Sequence, residues 1–236
     1  LLGWSAGFVV AGAALGSIAS SVQDMTGGSR EVQDMFARLG GVDGLVDAYL
    51  SATMGILGLV ASGYAISAAL RLRGEESAQR AEPVLATRVS RVGWVASHLT
   101  IAVLGTALLI ALAGAAAGLT HGLRTHDVGA QVPRLLGAAL VQVPAALLVA
   151  GIAVALVGLL PRFAVLSWAV LGVFLMLGQF GELLSLDQSV MDLSPFTHTP
   201  KLPGSAFTGT PLLWLLTVTA ALIAAGLVGI RRRDIG

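Results

Sequence analysis

Apolar residues run along this chain in long, nearly unbroken blocks, and polar residues gather in a few stretches between them. Six blocks are long enough to cross roughly 30 Å of bilayer hydrocarbon as helices. They fall near residues 1–22, 45–70, 95–119, 135–160, 163–181 and 210–230. Within lipid each must be helical, because an unpaired backbone N–H or C=O costs several kcal/mol there. The pattern predicts an all-α membrane protein, a six-helix bundle that makes residues 1–236 one transmembrane domain. Pro144 deletes one i→i−4 hydrogen bond and should kink the fourth helix.

Three polar stretches interrupt the pattern. In Ser29–Gly41, Val32, Met35, Phe36 and Leu39 follow helical spacing, with Ser29 as N-cap and an Asp34–Arg38 pair. This predicts a short amphipathic helix, ended by Gly40-Gly41, lying on the membrane interface or capping the bundle. Glu182–Pro211 holds four of the eight prolines, too many for a continuous helix, yet it is too apolar for a free tail. A folded cap or re-entrant hairpin is expected there. The third stretch, Arg71 to Trp94, is a hook that carries five of the fourteen basic residues.

Composition sharpens the class. Hydrophobic residues make up 56% of the chain, charged residues 11%, and mean hydropathy is +0.85. A soluble domain carries about 25% charged residues, so this is an integral membrane protein. There is no cysteine, which excludes disulfides, thiolate catalysis and Cys-based metal sites. No stretch resembles a nucleic-acid-binding patch. The single lysine amid abundant Ala, Gly, Leu and Arg suggests a bacterial source. The chain opens on Leu1 with no basic leader, so its start is read as a boundary within a longer protein.

Charge orients the spans. With both ends of the segment in the cytoplasm, the inside holds Arg71, Arg73, Arg80, Arg88, Arg91, Arg162 and Arg231 to Arg233. The outside holds Arg30, Arg38, Arg124, Arg134 and Lys201. Nine against five favours this orientation and places the hook in the cytoplasm. Trp4, Trp94, Trp168 and Trp214 lie near span ends, as an aromatic belt of lipid anchors requires. Gly3/Gly7, Gly12/Gly16 and Gly114/Gly118 have the four-residue spacing that lets helix backbones approach closely.

Candidate chemistry is sparse. The only lysine, Lys201, is followed by Leu202 and Pro203, so no P-loop exists and the chain should not hydrolyse ATP alone. Glu75-Glu76-x-x-x-Arg80 matches a string found in CAAX-type intramembrane proteases. Its glutamates sit in a polar loop, and His98 is the nearest intramembrane histidine. His121, His126 and Asp127 suggest a metal only weakly, since i, i+5 spacing splits the histidines between helix faces. His98 is expected at the interface or hydrogen-bonded. Gln142, Gln179, Asp47 and Glu182 are the polar groups in or near spans, and Gln142, Gln179 and Glu182 are candidates for a substrate path. No pair of mid-membrane carboxylates exists, which argues against an ion-coupled carrier.

Glu82-Pro83-x-Leu85-x-Thr87-x-x-Ser90-Arg91, following acids at a helix start, resembles the cytoplasmic coupling segment of ABC-2 type exporter permeases. The Ser194-Pro-Phe-Thr-His-x-Pro-Lys-Leu-Pro-Gly204 stretch and the closing Arg231-Arg232-Arg233-Asp234 look like one branch. Its members are bacterial permeases associated with export of polyketide antibiotics and with drug resistance. The resemblance covers essentially all 236 residues and implies the C-terminal six-helix half of a longer, twelve-span permease in the bacterial cell membrane.

What the resemblance implies is a membrane subunit, not an enzyme. A separate dimeric ABC ATPase would bind ATP and Mg, leaving this chain without a cofactor. The segment Glu75–Arg91 would dock into a groove of that subunit. Glu75, Glu76, Arg80 and Glu82 would supply charge, Pro83 a turn, Val84 and Leu85 an apolar knob, with Arg88 and Arg91 beside them. Arg88 departs from the family pattern, standing where a proline commonly follows the threonine. The other permease half, the lipid bilayer and a lipophilic small molecule would be the remaining partners. Two other classes stay open: a CAAX-type protease, and a non-transporting membrane scaffold or immunity protein.

Overall fold

The computed structural model describes residues 1–26, 41–77, 91–181 and 184–232. These residues form α1 (Leu2–Thr26), α2 (Gly41–Ser77), α3 (Arg91–Thr125), α4 (Val128–Leu140), α5 (Val143–Leu159), α6 (Leu166–Phe180), α7 (Gln188–Met191) and α8 (Thr210–Arg232). Short 3-10 turns occupy Pro161–Phe163 and Pro195–His198, and the described residues contain no strand. The all-α membrane class predicted from the apolar blocks is therefore observed.

Five helical segments are long and apolar enough to span a bilayer: Leu2–Ala19, Gly44–Glu75, Gly93–Thr125, Val128–Leu159 and Thr210–Arg232. The predicted fifth span is shorter. The Pro161–Phe163 turn takes up the start of that block, so α6 has 15 residues. Such a helix reaches about 22 Å, less than the roughly 30 Å of hydrocarbon.

The helices beside the hook are longer than their apolar blocks. α2 has 37 residues and α3 has 35, about 55 and 52 Å respectively. The Arg71–Ser77 end of the hook is thus a continuation of α2, as its Leu, Arg and Glu content favours. The predicted amphipathic helix at Ser29–Gly41 lies outside the described residues, apart from Gly41, which opens α2.

Pro144 interrupts its helix as expected. It cannot donate to the Leu140 carbonyl, and α4 ends there. Val141 N–H still donates to Gly137 O at 3.2 Å, while Gln142 N–H tightens to Ala139 O at 2.9 Å. α5 restarts at Val143 with the proline in its first turn. Pro133 lies inside α4, which begins before the predicted residue 135.

The chain divides into two compact units. The first comprises Leu1–Gly58, Ala107–Val143 and Thr199–Gly209. Here a Cβ added at Gly12 would collide with the Ala113 carbonyl, and one at Gly16 with the Ala117 carbonyl. One at Gly114 would lie 2.6 Å from Ala139 Cβ, and one at Gly118 2.7 Å from Val132 Cα. α3 thus presents Ala113/Ala117 to α1 and Gly114/Gly118 to α4. In lipid, where apolar contact drives no association of its own, such close packing holds helices together. Gly3 and Gly7 have nothing within 4 Å.

The second unit comprises Leu59–Thr106, Pro144–His198 and Thr210–Gly236. One cluster joins Leu59 and Ile66 of α2 to Val149 and Val154 of α5 and Phe174 of α6. Another joins Leu72, Val95, Val157, Ala164 and Ile230 around Trp94. Trp94 is 6% exposed, so it is a core residue and not the lipid anchor its span-end position suggested. Trp4, Trp168 and Trp214 are exposed. α5 crosses α8 where Gly158 meets Gly226, with no room for a side chain at either position.

Candidate functional site

The second unit carries the base of the hook. At the end of α2, Arg71 is exposed and Arg73 half-buried, with no hydrogen-bond partner for Arg73 Nη1 among the described residues. One turn on, Glu75 Oε2 lies 3.1 Å from His98 Nε2 of α3. The His98 ring meets Trp94 edge-to-face at 5.3 Å, as residues four apart on one helix face do. Buried Trp94 fixes the imidazole, and the imidazole holds the acid. Both chain ends of the hook are thereby tied together.

Of the predicted coupling residues, Glu75 is placed with its side chain. Glu76 lies in the last turn of α2 and Arg91 opens α3, both placed as backbone. Arg80, Glu82, Pro83, Val84, Leu85 and Arg88 lie outside the described residues. His98, expected at the interface or hydrogen-bonded, pairs with Glu75, a partner the sequence did not identify.

The predicted path residues Gln142 and Gln179 differ in burial. Gln142 is 3% exposed at the α4–α5 break, and its Oε1 has no partner among the described residues. Gln179 is exposed on α6, and Glu182 lies outside the described residues.

In the first unit Asp47 Oδ2 accepts from Arg134 Nη2 at 2.6 Å, joining α2 to α4. His121 is 4% exposed, and its Nδ1 has no partner among the described residues. Asp127 is the N-cap of α4, its Oδ1 accepting from Ala130 N at 3.2 Å, while His126 is exposed with φ +57°. No three His, Cys, Asp or Glu residues converge on a metal position among the described residues.

A pocket of about 460 Å³ opens within the second unit. Leu148 of α5 and Pro211, Trp214, Leu215 and Val218 of α8 form its apolar wall. Asp192, Leu193, Pro195 and His198 of the segment after α7 close one side, and Thr210 completes the lining. His198 Nε2 donates to the Asp192 carbonyl at 2.9 Å, and Gln188 Nε2 donates to Asp192 Oδ1 at 2.7 Å. The proline-rich stretch and Trp214 were visible in the sequence. Their meeting with Leu148 was not.

Long apolar helices, glycine-lined crossings and an apolar pocket define a multi-pass helical membrane protein. Residues 1–231 match the family described as multidrug efflux system permease Rv1217c, C-terminal domain, and the chain belongs to that family. It is 42% identical over 235 residues to the multidrug efflux system permease protein Rv1217c of Mycobacterium tuberculosis (strain ATCC 25618 / H37Rv). The match covers 100% of this chain and 43% of that relative, so the chain spans less than half of the relative's length. The permease resemblance read from the hook agrees with this family.

Proposed function

We propose that this chain is the C-terminal membrane half of an ATP-driven ABC exporter that moves hydrophobic small molecules, antibiotics among them, out of a bacterial cell. The family match over residues 1–231, to a protein named for multidrug efflux, carries this reading. The arginine-rich hook between α2 and α3 supports it. In this account the hook faces the cytoplasm, as do both ends of the segment. A separate ATPase dimer binds ATP and Mg and grips Glu75 to Arg91. The remaining permease half completes the pathway in the cell membrane.

Physically, closure of the ATPase pair favours one transporter state only by contacting the hook differently in the two states. The Glu75–His98 contact ties the hook to α3, so a force on it reaches both helices. The polar groups buried in the spans, Gln142 foremost, are the candidates for contact with cargo. In the full-length protein assembled with its ATPase, alanine at Glu75, Glu76 and Glu82 is expected to abolish substrate-stimulated ATP hydrolysis and export. Unchanged hydrolysis and unchanged export would overturn the reading.

A further inference from the structure

We propose that the pocket between α5, the start of α8 and the segment after α7 binds lipophilic cations, with Asp192 selecting the charge and Trp214 the aromatic body. This rests on the export reading and names the chemistry of its cargo.

The pocket's size, about 460 Å³, is that of a drug-sized ligand site. Its wall is aliphatic apart from the indole of Trp214, which is 67% exposed and free of close covering. Such a surface accepts flat apolar groups, and an indole face also attracts cations. Charge enters the lining at Asp192. Its Oδ1 is held by Gln188, and it forms no salt bridge with the described residues. His198 spends its Nε2 proton on the Asp192 carbonyl, which fixes that backbone beside the pocket.

The first turn of α8 also reaches the lining through Thr210. Its N-terminal dipole carries about half a positive charge and would favour an anion. A full carboxylate outweighs it, and Pro211 removes one of the N–H groups concerned. A cationic amphiphile with aromatic groups is thus the ligand whose chemistry the lining matches.

Tetraphenylphosphonium and its isosteric anion, tetraphenylborate, separate charge from shape. Their binding to the full-length protein would be measured by equilibrium dialysis in dodecyl maltoside, whose micelles are uncharged, without ATP. The wild type should prefer the phosphonium. Asp192→Asn should weaken phosphonium binding about tenfold while borate binding holds or rises, which also shows an intact pocket. Trp214→Leu should weaken both ions. Equal wild-type affinity for the two ions, or phosphonium binding unchanged in Asp192→Asn, would overturn the proposal. Neither result depends on ATP coupling, so the exporter reading would stand or fall separately through the hook variants.

Discussion

Glu75 Oε2 of α2 lies 3.1 Å from His98 Nε2 of α3, and this contact closes the base of the arginine-rich hook. Glu75 keeps 39% of its side chain exposed, so the contact is screened and should contribute no more than about 1 kcal/mol to stability. Its importance is geometric. Glu75→Gln and His98→Phe should each leave the thermal unfolding midpoint in detergent within a few degrees of wild type. Each should lower substrate-stimulated ATP hydrolysis in the assembled complex severalfold, and the double variant should be no worse than either single one. Additive losses would show that the two residues act apart.

The crossing of α5 and α8 makes a sharper stability prediction. Gly226→Val should destabilise the protein by roughly 3 kcal/mol or more, because the new side chain meets the Val154 carbonyl carbon at 2.9 Å. Gly172→Ala on α6, where a Cβ meets nothing within 4 Å, should change stability by no more than about 0.5 kcal/mol. Thermal unfolding of both variants in one detergent checks the contrast.

Gln142 separates stability from function. Its Oε1 is buried without a partner among the described residues, so a side chain of similar shape without the amide should not destabilise the fold. Gln142→Met is expected to unfold at or slightly above the wild-type temperature and to export less in cells. Equal export would remove Gln142 from the path.

The Asp47–Arg134 pair is partly exposed, at 17% and 39% of the two side chains. A double-mutant cycle with Asp47→Asn and Arg134→Gln should give a coupling of roughly 0.5–1 kcal/mol, falling as salt is raised.

How much of this was legible before the structure differs by feature. Long apolar blocks revealed the helices, because a backbone in lipid has few alternatives. Pro144 marked its own break, because the missing N–H is a property of the residue. Spacing singled out Gly12/Gly16 and Gly114/Gly118 but named no partner. Gly158 and Gly226 went unnoticed, since a contact between residues 68 positions apart leaves no local pattern. The burial of Trp94 is hidden for a related reason: nearness to a span end does not reveal which face of α3 it occupies. The pocket was hidden because α5, the segment after α7 and α8 each supply only part of it. The hook's sequence was its clearest signal, although α2 and α3 extend into it beyond their apolar blocks.

Sidedness of the hook is the claim on which the rest depends, and this stretch contains no cysteine to confuse its measurement. Single cysteines would replace Glu82 in the hook and Gly129 in α4, where an added Cβ meets nothing within 4 Å. Intact cells producing the full-length protein would then be treated with a membrane-impermeant maleimide. The account predicts labelling at position 129 in intact cells and at position 82 only after permeabilisation. Labelling at position 82 from outside, with position 129 protected, would contradict it.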